Sequence, residues 1–233
     1  MGLSRLLAIV LLVSVALSSH PVAASVTCPA PANADAALSA VDGRQRLDWI
    51  DAHLSKTARQ ARIWTWGWGA GIVAATAANL VPLAFVPPDQ RIDWYVGAGT
   101  TIVGIVPLLI APLDVIADAR ALHREIAKLG GENDVCRLLA DAEARLARDG
   151  ANQVDGQRWW LHVGNVVLNT GVGLFLGIGY HHWGAGALNA ATGTLIGEAI
   201  ILTQPTGSIA DLTAYRSGAL GAPATALSYR MSF

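Results

Sequence analysis

Glu198 is the one acid well inside a long apolar run of this sequence, about five residues before that run ends at Thr203. A charged side chain in hydrocarbon costs about 2.5–3.5 kcal/mol on insertion scales, so it faces protein or water. His162 lies about three residues into the preceding apolar run, which travels the other way, and so reaches the matching depth. Asn165 and Asn169 follow His162 at i+3 and i+7 and share its helical face. Asn189, Thr192 and Thr194 add polar groups to the run that carries Glu198. Two chemistries fit a seam of His162, Asn165, Asn169, Asn189 and Glu198. One is passage of a proton or ion, or capture of a small head group. The other is a purely structural bond between two helices, with each hydrogen bond worth about 0.6 kcal/mol.

Other residues carry weaker signals. Cys28 and Cys136 both lie in hydrophilic segments, and in an exported chain an even number of cysteines favours a disulfide. The alternative is two unrelated buried thiols. His181-His182 is a weak metal candidate, because a structural metal site wants three or four ligands and no third is near in sequence. Gly67-x-Gly69-x-Gly71 and Gly171-x-Gly173-x-x-x-Gly177 look superficially like nucleotide loops, but neither joins a strand to a helix. Small residues that let helix backbones approach closely are the better account. There is no HExxH, P-loop, Gly-x-Ser-x-Gly or Cys-x-x-Cys, and no nucleophile–base constellation. The expectation is therefore no enzyme and no cofactor, and the absence of a basic stripe with interleaved aromatics argues against nucleic acid.

The elements that position these residues are long and oily. Only 14% of the 233 residues are charged, against about 25% in ordinary soluble domains. Mean hydropathy is +0.42, and eight Trp and twenty-four Gly accompany it. Trp collects at membrane–water boundaries, and Gly is commoner in membrane helices than in soluble ones. Trp94 to Ala117 holds no charge until Asp114, and roughly 20 apolar residues suffice to cross a bilayer. Three further runs resemble it: Ile63 to Val86, Trp159 to Tyr180 and Trp183 to Thr203. Shifting residues 97–122 by 93 places gives eight identities, Ala98, Thr101, Gly104, Pro112, Ile116, Ala117, Asp118 and Ala121 matching Ala191, Thr194, Gly197, Pro205, Ile209, Ala210, Asp211 and Ala214. Short turns at Pro87–Asp93 and at His181-His182 make each pair of runs antiparallel. The fold expected is all-α: four transmembrane helices as two tandem hairpins, a parallel repeat about an axis along the membrane normal.

Around these hairpins the chain divides as follows. Residues 1–24 have the layout of a secretory signal peptide, with a basic start, an apolar core Leu6–Ser19 and Val22-Ala23-Ala24 before the cut; an uncleaved anchor is the alternative. Residues 25–43 form a Pro/Ala-rich tether. Residues 44–117 hold an amphipathic helix and the first hairpin. Leu47, Ile50, Leu54 and Ala61 form that helix's apolar face, and Arg46, Asp48, Asp51, Lys56 and Arg59 its polar one. The second span is expected to continue outward through Val115, Ala119, Leu122, Ile126 and Leu129, spaced like a packing seam. Gly130-Gly131 would end it, and Asn133 or Asp134 would cap a return helix with Val135, Leu139, Ala142 and Leu146 inside. Residues 118–157 thus make an extramembrane helical hairpin, packed internally or open to a coiled-coil partner. Residues 158–204 hold the second hairpin, and 205–233 a polar tail. In that tail Leu227, Tyr229, Met231 and Phe233 alternate like a barrel strand, but four long runs without alternation exclude a barrel.

Orientation is contested within the sequence. An exported N-terminus places every hydrophilic segment outside the inner membrane. Lys and Arg number five in residues 25–62, seven in 118–158 and two in the tail, while the tight turns hold Arg91 alone. Basic residues favour the cytoplasmic side, so the charge rule objects. The signal and the cysteine pair outweigh it here. The expected protein is a non-enzymatic component of the cell envelope in the inner (cytoplasmic) membrane. Its partners are the lipid bilayer and a second copy or another membrane protein. The alternative is a small channel or transporter using the seam.

Overall fold

The computed structural model describes residues 25–110 and 113–221, and all regular structure among them is helical. The proposed signal peptide and the alternating end of the tail lie outside the described residues. After the short helix α1 (Ala36–Ser39), Asp42 opens α2 (Gly43–Leu80). Its carboxylate accepts from the N–H groups of Arg44 (2.9 Å) and Gln45 (3.1 Å), and from Val26 N on the other side (2.6 Å). At 1.5 Å per residue these 38 residues span about 57 Å, roughly twice a hydrocarbon core. One unbroken helix therefore serves first as the amphipathic element and then as an apolar run.

Several boundaries differ from those read in the sequence, and proline explains two of them. α2 stops at Leu80 and passes into a single 3-10 turn, Val81–Ala84, rather than reaching Val86. Pro82 in that turn has no N–H to continue the helical ladder. The helix expected from Trp94 through Leu129 is two helices. α3 (Arg91–Ile110) ends two residues before Pro112, and α4 (Val115–Ile126) starts afresh after Asp114. Helices commonly end before the residue that precedes a proline. α5 (Glu132–Asp155) is entered from Gly131, not from Asn133 or Asp134. α6 (Trp159–Tyr180) and α7 (Trp183–Leu202) match the expected runs closely. The polar tail, by contrast, contains α8 (Gly207–Arg216), folded back against α5 and α2.

The first half of α2 packs with α4, α5 and α8 into a layer with a dry core. Leu47, Ile50, Leu54 and Ala61 of α2 are buried together with Val115, Ala119 and Leu122 of α4 and Val135, Leu139, Ala142 and Leu146 of α5. The two seams read in sequence thus close on each other and on α2 within one chain. Residues 25–43, expected as a Pro/Ala-rich tether, hold α1 and are docked on this core through buried Leu38 and Cys28, the latter disulfide-bonded to Cys136 with Cα atoms 5.3 Å apart. Under the 93-residue shift, buried Val115 and Leu122 fall on buried Ser208 and Tyr215.

Arg46 overturns its assignment to the solvated face of α2, since its side chain is fully buried. It donates to Tyr215 Oη (2.9 Å) and to the carbonyls of Cys28 (3.0 Å) and Pro29 (3.1 Å), and it pairs with Glu143. A charge so enclosed survives because every bond is charge-assisted or reciprocated.

Beyond the layer the chemistry changes. Three helical stretches, Gly43–Ala84, Trp159–Tyr180 and Trp183–Arg216, are long and apolar enough to cross a membrane. Their outer surfaces carry large apolar side chains, with Ile63 68%, Trp66 77% and Leu195 69% exposed. Trp64, Trp66, Trp68, Trp159 and Trp160 lie at the layer end of these helices and Trp183 at the far end, where Trp94 of α3 also lies. Such a two-belt distribution is the signature of aromatic side chains at membrane interfaces.

Candidate functional site

α6 and α7 form an antiparallel hairpin, and its tight turn depends on His181 in the left-handed region (φ 60°). The structure brings together four of the five residues of the expected seam. His162 Nδ1 donates to Glu198 Oε2 (2.5 Å), and Asn165 Nδ2 donates to Glu198 Oε1 (2.9 Å) and to the carbonyl of Thr194 (3.0 Å). Asn169 Nδ2 donates to the carbonyl (2.9 Å) and to Oδ1 (2.8 Å) of Asn165. Both amide hydrogens of each asparagine are therefore engaged inside the hairpin.

The opposing wall of the seam was not read from sequence. A methyl group added at Gly197 would collide with Asn165 Oδ1, and one at Gly193 with Asn169 Oδ1. Further along, a Cβ at Gly173 would sit 2.8 Å from Gly186 O and 2.9 Å from Ala190 Cβ, and at Gly177 within 2.5 Å of the Trp183 ring. Each asparagine is seated on a glycine, then backbone meets backbone. The signal was present: Asn165 and Asn169 are four apart, as are Gly193 and Gly197, in helices that run in opposite senses.

Asn189 does not join this seam. It donates to the carbonyl of Ala185 (3.1 Å), and its Oδ1 lies 3.5 Å from the point where a Cβ on Gly97 of α3 would stand. Position 189 is one residue off the α7 stripe of Gly186, Ala190, Gly193 and Gly197, about 100° round the helix, which turns it toward the first hairpin. There Asn79 is pressed on Gly97, and Thr76 donates to Thr101 (2.7 Å). The expectation that Gly67, Gly69, Gly71 and Gly171 permit close helix approach fails: a Cβ at any of them meets nothing within 4 Å. His182 is placed with one further carboxylate, that of Asp93. Its Nδ1 donates to Asp93 Oδ1 (2.7 Å), tying the tips of the two hairpins together. At the opposite end Trp64 and Trp68 both donate to Thr203 (3.2 and 3.0 Å). No group of three His, Cys, Asp or Glu side chains suited to a metal exists among the described residues.

Between the hairpins lies a cleft of about 900 Å3 bordered by α2, α3, α6 and α7. Asn165 and Asn169 reach its wall, and Ile72, Val103, Val172 and Phe175 supply much of its surface.

In the layer, the acids near the span ends serve the fold. Asp114 accepts from Asn152 (2.6 Å), Asp118 from Arg148 (2.9 Å) and Asp211 from Thr57 (3.3 Å). Asp149 is 1% exposed, and neither carboxylate oxygen receives a donor. Burial, then the charge of Asp118, pushes its pKa up to about 7, where as an acid it can donate to Asp118.

Comparison with protein-family models, with curated proteins and with solved structures finds no match for this chain.

Proposed function

We propose that this chain is a non-enzymatic integral membrane protein that crosses the inner membrane four times, as two tandem hairpins of a duplicated unit. In this reading it associates with itself or with another membrane protein in the cell envelope. α3 supplies the fourth crossing, and the two buried pairs related by the 93-residue shift, Val115 with Ser208 and Leu122 with Tyr215, support the duplication. The layer is assigned to the exported side. The Cys28–Cys136 bond supports that side, because disulfides persist in oxidising compartments; the Lys and Arg distribution opposes it.

The observation that carries the associating role is the closed state of the seam. His162, Asn165 and Asn169 spend their donors inside the hairpin, and the amide oxygens of Asn165 and Asn169 fill the space left open at Gly197 and Gly193. A closed seam offers no path, so what the spans present outward is apolar surface. The test is Glu198→Leu and Glu198→Gln in liposomes, read by proton flux and by cross-linking between copies or to neighbours in native membranes. The expected result is no flux from the parent, and cross-links that survive both substitutions. A parent that conducts, with flux abolished by Glu198→Gln while the fold persists, would establish the second reading, a small channel or transporter. That reading draws on the cleft that Asn165 and Asn169 border.

A further inference from the structure

The glycines of the hairpins fall into two kinds, and the second kind has no use in the packing. Gly173, Gly186, Gly193 and Gly197 are spaces that a neighbouring atom already occupies. Gly71 on α2, Gly99 and Gly104 on α3 and Gly171 on α6 all border the cleft, and a Cβ at any of them meets nothing within 4 Å. Gly67, Gly69, Gly164, Gly179 and Gly184 are equally open and lie away from the cleft, so what the four at the cleft contribute is room in its wall. The volume of about 900 Å3 falls in the range of roughly 300–1,000 Å3 typical of small-molecule pockets.

The chemistry of the wall selects the occupant. Every polar side chain on it already has its donors engaged within the protein. Thr100 donates to the carbonyl of Gly97 (2.9 Å) and Thr101 to that of Ala98 (2.8 Å). Asn165 and Asn169 have no amide hydrogen left, as described above. Among the described residues, no Lys, Arg, Asp, Glu or His borders the cleft. Its surface is therefore predominantly apolar, and it offers neither a free donor nor a positive charge to a phosphate. The helices around it carry apolar surface outward, so the medium at its mouth is hydrocarbon. We propose that the cleft between the two hairpins is a binding site for an acyl chain of a bilayer phospholipid, entering sideways from the membrane.

This inference rests on the reading of the hairpins as membrane-embedded, and one experiment separates the two. The full chain is reconstituted in vesicles of phosphatidylcholine and phosphatidylethanolamine containing a phospholipid with a diazirine in its acyl chain, irradiated, and mapped by peptide mass spectrometry. Trp68, Ile72 and Val172 report the cleft; Ile178 and Leu195, outside it, report the general bilayer. Lipid adducts are expected at both sets. In Gly99→Leu, and independently in Gly171→Leu, adducts at the cleft residues should fall about tenfold while those at Ile178 and Leu195 persist. Adducts at Ile178 and Leu195 with none in the cleft of the parent would overturn the inference alone. So would cleft adducts unchanged in both variants, or cleft cross-links to a second copy in place of lipid. No adducts at either set would overturn the membrane reading with it.

Discussion

The layer and the spans are built from the same kind of helix and held by opposite means. In the layer, large side chains are removed from water: leucines and isoleucine of α2, α4 and α5 are fully buried, around one enclosed arginine. Among the described residues of the spans few large side chains are buried, and Leu176 and Ile72 stand nearly alone. What meets there is small: glycine under asparagine, glycine carbonyl against glycine. The difference follows from the solvent. Water makes burial of apolar area favourable at about 25 cal/mol per Å2, whereas lipid tails are as apolar as leucine and give no such drive. Close fit and hydrogen bonds must then do the holding.

Three changes would break or sharpen this contrast. The largest effect belongs to the layer. Arg46→Ala leaves Glu143 and Tyr215 without their buried partner and should cost about 3–5 kcal/mol, read as a fall in the denaturation midpoint. A loss under about 1 kcal/mol would mean that water replaces the guanidinium and that the layer core is not dry.

Asp149→Asn comes next, and its sign depends on pH. The folded state holds the Asp149 proton more tightly than the unfolded chain, where the ordinary value is 3.8. Its contribution is therefore full below about pH 4 and is lost as pH rises through about 7. Above pH 7 the parent carries a penalty of up to about 4 kcal/mol, which the asparagine removes. The variant should gain stability at pH 8 and little at pH 4. An equal gain at both would disprove the raised pKa.

The third change tests the spans by pairing two glycines. Gly173→Leu drives a side chain into the backbone of α7 and should cost about 1–3 kcal/mol, whereas Gly69→Leu should stay within about 0.5 kcal/mol. Thermal stability in detergent gives both numbers. Equal losses would show that glycine abundance, and not its seating, stabilises the hairpins.

The seam was legible because depth is simple to count. His162, Asn165, Asn169 and Glu198 follow from helix length and direction, and they meet. Asn189 was misplaced because depth says nothing of rotation, and one residue turns a side chain by about 100°. Arg46 was hidden because its partners Glu143 and Tyr215 are 97 and 169 residues away. A charge on a periodic helix reads as solvated until those partners arrive. α8 was missed for a related reason: its composition is polar, and only contact with α5 and α2 buries Tyr215 and pairs Ser208 with Gln153. Among the glycines, residue type carried no hint of which were seated and which were open.

The bond between Cys28 and Cys136 closes a ring of chain 108 residues apart in sequence, and α2 and α3 both run within it. The first hairpin is thus threaded on a covalent loop while the second hangs beyond it. A peptide bond severed between α2 and α3 leaves one molecule until a reductant is added; a bond severed at His181-His182 leaves two pieces at once.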